Sequence, residues 1–356
     1  MVHEPSVAVI GGGIAGVTAA LNLAERGISV SLIEREASLG GNAQTVCCKA
    51  VDGVCQLCGG CLLGDQLTAL ERATTIDTYY RTTVERVERQ DGRFVLSLQG
   101  GLASDTDLSV DAVLLATGFE HFDAIHKGPY GFGLLPAVTT GEEMERRITL
   151  EGQGAHDDLA GKAVAFVQCV GSRDEHLGHG YCSQVCCRYA IRLARLLISR
   201  VPDIQVSVFK MDIQSSGRDM LPSWRAAQDE GVRIVAALPA VIHRNPDNPL
   251  QATFVYDDPC VGEPREEVFD LVVLSTGIMP RGDAADVGDR FGLGLNRFGF
   301  FDARPDGVST LIPGVFVAGS CQAPRSMAES LAHAETAAET CYRHLVSTQV
   351  ATEVAS

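Results

Sequence analysis

An α/β fold that begins with a dinucleotide-binding unit is what this sequence predicts, on three observations. "SVAVIGGGIAGVTAALNLAERGISVSLIERE" reads as strand, tight turn, helix and strand. "DAVLLATGF" (111–119) and "DLVVLSTGI" (270–278) are strand-sized apolar runs, each ending in a Thr-Gly or Ser-Thr-Gly turn. The 356 residues, 46% hydrophobic and 21% charged, suffice for two or three globular domains.

Each part of the opening unit has a physical role. Val7, Val9 and Ile10 form a short buried strand, and Gly11, Gly13 and Gly16 stand in G-x-G-x-x-G register. Gly11 permits the sharp turn, Gly13 lets backbone approach a pyrophosphate, and Gly16 allows close helix–strand packing. "AGVTAALNLAERG" is a helix closed by Gly27, and its N-terminus offers unpaired N–H groups to an anion. "ISVSLIE" is the second strand, ending in Glu34, whose carboxylate can accept from ribose hydroxyls. No run approaches the roughly 18 apolar residues of a membrane span, and no signal sequence precedes the first strand, so a cytoplasmic protein is expected. A net charge of −16 argues against nucleic acid and leaves a solvated acidic surface or docking on a basic protein partner.

The glycines after Glu34, Gly40 and Gly41 in "EREASLGGNAQ", together with both Thr-Gly segments and "IPGVFVAGSCQAPRSMAESLAHAETAAETCYRHL", resemble the FAD proteins of the thioredoxin and glutathione reductase type. That resemblance implies a thioredoxin-reductase-like fold: a split Rossmann-type FAD domain (1–120 and 281–356) around an inserted second nucleotide-domain-like region (121–280). It assigns the FAD to Gly11, Gly13, Ala15, Gly16, Glu34 and Arg35, then to Gly40, Gly41, Asn42 and Val84. Ala116, Thr117, Gly118, Gly319, Ser320, Met327 and Ala328 complete the set. Ser320 stands where the superfamily usually has Asp, so that contact lacks a charge. The insert opens with a strand, Lys162–Val167, then has Gln168, Cys169, Val170 and Gly171 where a nicotinamide phosphate loop belongs. No NAD(P)H site of its own is expected, with an atypical one as the alternative.

Twelve cysteines in a reducing compartment point to metal or redox chemistry rather than a disulfide framework. Four fall within "CVGSRDEHLGHGYCSQVCC" (169–187), with Cys186 and Cys187 opening a helix whose dipole favours thiolate charge. Buried inert cysteines and a structural zinc are the alternatives to an iron–sulfur cluster. "CVGSRD" and "YCSQVCCRYAI" are similar to the flavin-binding A chain of heterodisulfide reductases, which implies Cys169, Cys182, Cys186 and Cys187 as ligands of one [4Fe–4S] cluster, within electron-tunnelling range of the flavin. The chain has no complete ferredoxin run, so it resembles the short A-type flavoprotein of heterodisulfide-reductase-like complexes of sulfur-oxidising bacteria. The resemblance implies an oxidoreductase that transfers and stores electrons, with partner subunits like heterodisulfide reductase B and C, and a homodimer in isolation. In place of a family lysine near the flavin stands Arg192, a candidate catalytic residue whose permanent charge disfavours electron bifurcation.

A second run, Cys47, Cys48, Cys55, Cys58 and Cys61, begins a ferredoxin spacing but breaks off at Asp65. Thiols near FAD without a ligand role, a second or alternative cluster, and a reactive dithiol all remain open for it. The last would make the chain a stand-alone flavin disulfide reductase; a non-redox FAD scaffold or a tRNA-modifying flavoprotein is a further alternative, opposed by the acidic charge and the four-thiol run.

Overall fold

The computed structural model describes residues 4–101, 106–151, 157–214 and 220–355. The chain forms two compact units: Met1–Gln44, Gly59–Glu120 and Pro280–Ser356 in one, Thr45–Cys58 and His121–Met279 in the other.

In the first unit, five described strands form a parallel sheet in the order Val315–Val317, Ala112–Leu115, Ser6–Ile10, Ser29–Ile33, Ile76–Tyr79. Alternation along each strand sends side chains to both faces. Val7, Val9, Val30, Leu32 and Leu114 pack on one face with the helices Ile14–Ala24 and Met327–Ala355, through Val17, Ala20, Ala334 and Ala338. Ala8, Ile33, Val113 and Leu115 pack on the other with Val84, Phe94, Leu96 and Leu98. Those residues lie on an antiparallel sheet of Thr82–Gln90, Arg93–Gly100 and Thr106–Val110.

The second unit has the same three layers. Its described parallel sheet runs Arg233–Val235, Gln205–Phe209, Ala163–Val170, Leu271–Thr276, Val138–Thr140. Val164, Phe166, Val208 and Val273 face helices that include Gly141–Glu151, Cys186–Arg200 and Met220–Asp229. Ala165, Val167, Val272 and Leu274 face Phe254, Tyr256 and Phe269 of a second antiparallel sheet.

Two features differ from the sequence reading. The strand expected to stop at Val167 runs on to Val170, because a register shift between Val167 and Val170 absorbs the left-handed backbone of Cys169 (φ 59). Thr45–Cys58, expected in the split domain, groups with the insert. Lys49 is its anchor: the buried ammonium lies 2.6 Å from Glu145 Oε1, and Glu145 Oε2 also accepts from the Cys47 N–H at 3.0 Å. Cys47 itself packs among Met144, Ile148 and Cys187.

Candidate functional site

The first unit builds a cradle of bare backbone. Gly11 is left-handed (φ 106), and a Cβ there would lie 2.5 Å from the Ala116 carbonyl oxygen. A Cβ on Gly16 would lie 1.8 Å from the Gly11 carbonyl oxygen, which is the close helix–strand contact its position requires. Gly13 is different. Its φ of −72° suits any residue, and a Cβ would meet nothing within 4 Å. The fold itself does not demand glycine here.

Gly13 also caps the helix Ile14–Ala24 without any side-chain cap hydrogen bond, leaving helix N–H groups for an anion. The second glycine turn closes on the first, since the Gly40 N–H donates to the Gly12 carbonyl at 2.7 Å and Gly13 bridges Gly40. Buried Glu34 accepts from the N–H groups of Gly12 (2.6 Å) and Glu36 (2.7 Å), one per carboxylate oxygen, with further lone pairs left for hydroxyls. Asn42 Nδ2 donates to the Phe119 carbonyl at 3.0 Å, which ties the second turn to the segment after Ala116, Thr117 and Gly118.

The chain's closing motif comes to the same place: a Cβ on Gly319 would lie 2.6 Å from the Ala15 Cβ. Buried Ser320 follows in a short 3-10 turn. Sequence reasoning missed its brace, His333, whose Nδ1 accepts from the Gly319 N–H and whose Nε2 donates to the Gly307 carbonyl, both at 2.9 Å. Burial, and then the Arg325 charge, lower its pKa to about 4. No motif marks a histidine fourteen positions from the turn it holds. Met327 opens the long helix, half-buried, and Ala328 is exposed. Ser326 and Glu329 form a capping box at that helix's start, the Ser326 N–H donating to Glu329 at 2.8 Å. Two assigned residues turn their side chains elsewhere. Arg35 is exposed and paired with Asp283 at 3.1 Å, and the Val84 side chain is in the core.

An open glycine at the turn, an uncapped helix end, a second glycine turn and a buried carboxylate fit a pyrophosphate and ribose, as FAD presents them.

The second unit gathers the four-thiol run. Cys186 and Cys187 are buried in the first turn of the helix Cys186–Arg200, while Cys169 and Cys182 are half-buried on the segment before it. They lie within electrostatic reach of each other: Cys169, Cys182 and Cys187 each raise the pKa of Cys186. The Cys182 Sγ accepts from the Gln184 N–H at 3.3 Å. Cys169, Arg173 and Gln184 all adopt left-handed φ, an arrangement costly outside glycine and characteristic of functional loops.

The helix dipole does not win here. Burial first, then the neighbouring thiols, push Cys169 up to about 11 and Cys186 well above its ordinary value. A thiolate at this spot therefore needs a stronger counter-charge, such as bound metal supplies. Among the described residues, no three His, Cys, Asp or Glu side chains converge closely enough to hold a single ion. Gln168 Oε1, Ser172 Oγ, Tyr189 OH and Thr276 Oγ1 are all buried, and the Tyr189 hydroxyl is within side-chain hydrogen-bonding reach of Ser275 and Thr276. Four thiols, once deprotonated, are a donor set of the kind an iron–sulfur cluster takes.

Arg192 is buried on the same helix, one and a half turns after Cys187. Of the second run, Cys47 and Cys58 lie within electrostatic reach of each other. Cys47 is buried, its pKa pushed up to about 12 chiefly by burial, whereas Cys48, Cys55 and Cys61 are exposed and Cys58 is half-buried. Cys55 and Cys58 belong to the second unit and Cys61 to the first.

Over 430 residues the chain is 27% identical to an iron-sulfur A-type component of the CoB–CoM heterodisulfide reductase of Methanopyrus kandleri, covering 97% of this chain and 65% of that one. It is 30% identical over 420 residues to the corresponding protein of Methanocaldococcus jannaschii, covering 94% and 63%. The chain thus spans just under two-thirds of the length of these curated relatives. Thioredoxin reductase from Lactococcus lactis shares the fold with a TM-score of 0.62 at 18% identity, covering 97% of this chain and 100% of that one. The enzyme from T. acidophilum does so at 0.60 and 17%, covering 96% and 100%. Over residues 5–340 the sequence matches the pyridine nucleotide-disulphide oxidoreductases, and the chain belongs to that family of oxidoreductases.

Proposed function

We propose that this chain is an electron-transfer and storage component carrying FAD and one [4Fe–4S] cluster, within a complex resembling heterodisulfide reductase. The observation that carries the reading is the gathering of Cys169, Cys182, Cys186 and Cys187 at the end of the strand Ala163–Val170, the position of a nicotinamide phosphate loop. Four thiolates satisfy the four irons of a cubane, and the two adjacent cysteines on a helix start hold their sulfurs in a fixed relation. FAD supplies two-electron chemistry and the cluster one-electron chemistry when bound.

The chain's own residues bind and orient. Gly13 and the helix end receive the pyrophosphate, Glu34 takes the ribose hydroxyls, and His333 holds the Gly319–Ser320 turn. Arg192 supplies a cation on the helix that opens with Cys186 and Cys187. With no glycine loop after Val167, the donor is a protein partner rather than NAD(P)H. Partners are subunits like heterodisulfide reductase B and C, where chemistry on sulfur compounds occurs, and the setting is cytoplasmic sulfur oxidation. The isolated chain is a homodimer.

The test compares iron content and low-temperature EPR of Cys186→Ala and Cys58→Ala, purified anaerobically, alongside flavin released on denaturation. Cys186→Ala should lose iron or degrade toward a three-iron form while keeping FAD, and Cys58→Ala should keep both. Iron that survives the first change and vanishes with the second moves the ligand set to the run around Cys58. An iron-free wild type that reduces dithiols unaided makes the chain a stand-alone flavin disulfide reductase.

A further inference from the structure

We propose that Arg325 is the counter-ion of the bound dinucleotide, its guanidinium facing a negative charge that FAD brings to the cradle. This rests on FAD as the ligand of the first unit. Arg325 lies in the closing motif, between the strand Val315–Val317 and the long helix that opens at Met327. Its Nη1 donates to the Gly319 carbonyl at 2.9 Å and to the Ala323 carbonyl at 3.1 Å, and its Nη2 donates to Gln322 Oε1 at 2.5 Å. Gly319 is thereby held at both ends, since its N–H goes to His333. A Cβ on the same glycine would lie 2.6 Å from the Ala15 Cβ, in the first turn of the helix Ile14–Ala24, whose uncapped N–H groups suit an anion. Gly319 thus links the guanidinium to that helix end.

Among the described residues every hydrogen bond of Arg325 ends on a neutral atom, and Nε–H and one Nη2–H are left for a ligand. Other shielded arginines are treated differently. Arg93, Arg195 and Arg281 expose between 12% and 33% of their side chains, and each meets a carboxylate within 3.4 Å. Around half-buried Arg325 the one carboxylate whose charge reaches it, Glu329, is exposed. Glu329 already accepts from the Ser326 N–H and hydroxyl, at 2.8 Å and 2.6 Å. Burial holds the Cys321 thiol up at about 11, so it keeps its proton and offers no charge. Burial also lowers the Arg325 pKa, whereas hydrogen bonds to Asp212 and Asp258 raise those of Arg173 and Arg265. A shielded cation without an anion is costly, and glutamine could brace the same turn without that cost. FAD carries negative charge on its pyrophosphate in every redox state, and gains one more on its ring when it takes up two electrons and one proton. Arg325 keeps its own proton and stays cationic against either.

The test compares wild type, Arg325→Gln and Arg325→Lys by circular dichroism, by affinity for oxidised FAD in ultrafiltration of the holoprotein, and by the flavin midpoint in a dye-coupled titration. Arg325→Gln should keep the fold and lose about tenfold in one of the last two readouts. A tenfold weaker affinity assigns the charge to the pyrophosphate. Unchanged affinity with a midpoint about 30 mV more negative, which is tenfold for a two-electron couple, assigns it to the reduced ring. Arg325→Lys should recover most of the loss, because it keeps the charge. If Arg325→Gln does not fold, wild type alone decides. Phenylglyoxal should modify Arg325 more slowly in the holoprotein than after the flavin is removed, read by peptide mass spectrometry. Three results overturn the inference and leave FAD in the cradle: affinity and midpoint both unchanged in Arg325→Gln, Arg325→Lys as impaired as Arg325→Gln, or equal labelling with and without flavin. A wild type that releases no FAD on denaturation removes the FAD reading itself.

Discussion

Replacing Lys49 by Met should cost the second unit about 3–5 kcal/mol, because it strands a buried carboxylate. Lys49 is 1% exposed and Glu145 7%. The ammonium sits 2.6 Å and 2.7 Å from the two oxygens of Glu145. Without it, buried Glu145 keeps the Cys47 N–H but loses its counter-charge. The protein offers a local reporter, since its single tryptophan, Trp224, is buried in the same cluster. Urea unfolding followed by Trp224 fluorescence therefore reads this unit. With a slope of roughly 2–3 kcal/mol per molar, the midpoint should fall by about 1–2 M. The double change Lys49→Met with Glu145→Leu should recover most of the loss, since an apolar pair of similar volume needs no counter-ion. A single variant within about 1 kcal/mol of wild type would refute this reasoning, because only a hydrated pair contributes so little.

Gly13→Ala should leave circular dichroism and the unfolding midpoint close to wild type while lowering flavin occupancy at least tenfold, since the added methyl enters open space and only a ligand meets it. Equal flavin content in the variant and wild type, by absorbance after gel filtration, would move the pyrophosphate away from Gly13. His333 gives a pH dependence of definite sign. Unfolded, it binds a proton near pH 6.5, but folded it resists until about pH 4. Its contribution is therefore complete above about pH 6.5 and is lost as pH falls toward 4. A protonated Nδ1 also cannot accept from Gly319, so flavin retention should decline across that window, and less steeply in His333→Gln. Identical slopes for the two proteins would assign the pH effect to other groups.

The sequence alone determined the local devices. The strand–turn–helix–strand unit, the positions of Gly11 and Gly16, and the helix start at Cys186 and Cys187 are written within short stretches. There, side-chain period and backbone preference decide the structure before any packing does. What only the tertiary structure decided lies in pairings across long separations. Lys49 meets Glu145 across 96 positions, which carries Thr45–Cys58 into the second unit. His333 finds the Gly319 N–H although no turn or periodicity links them. The strand past Val167 continues only because the neighbouring strand Leu271–Thr276 tolerates a register shift at Cys169. The charge state of the thiols belongs here too. A helix dipole can be read from a sequence, but the depth of burial that overrides it at Cys186 comes from the layers packed around it.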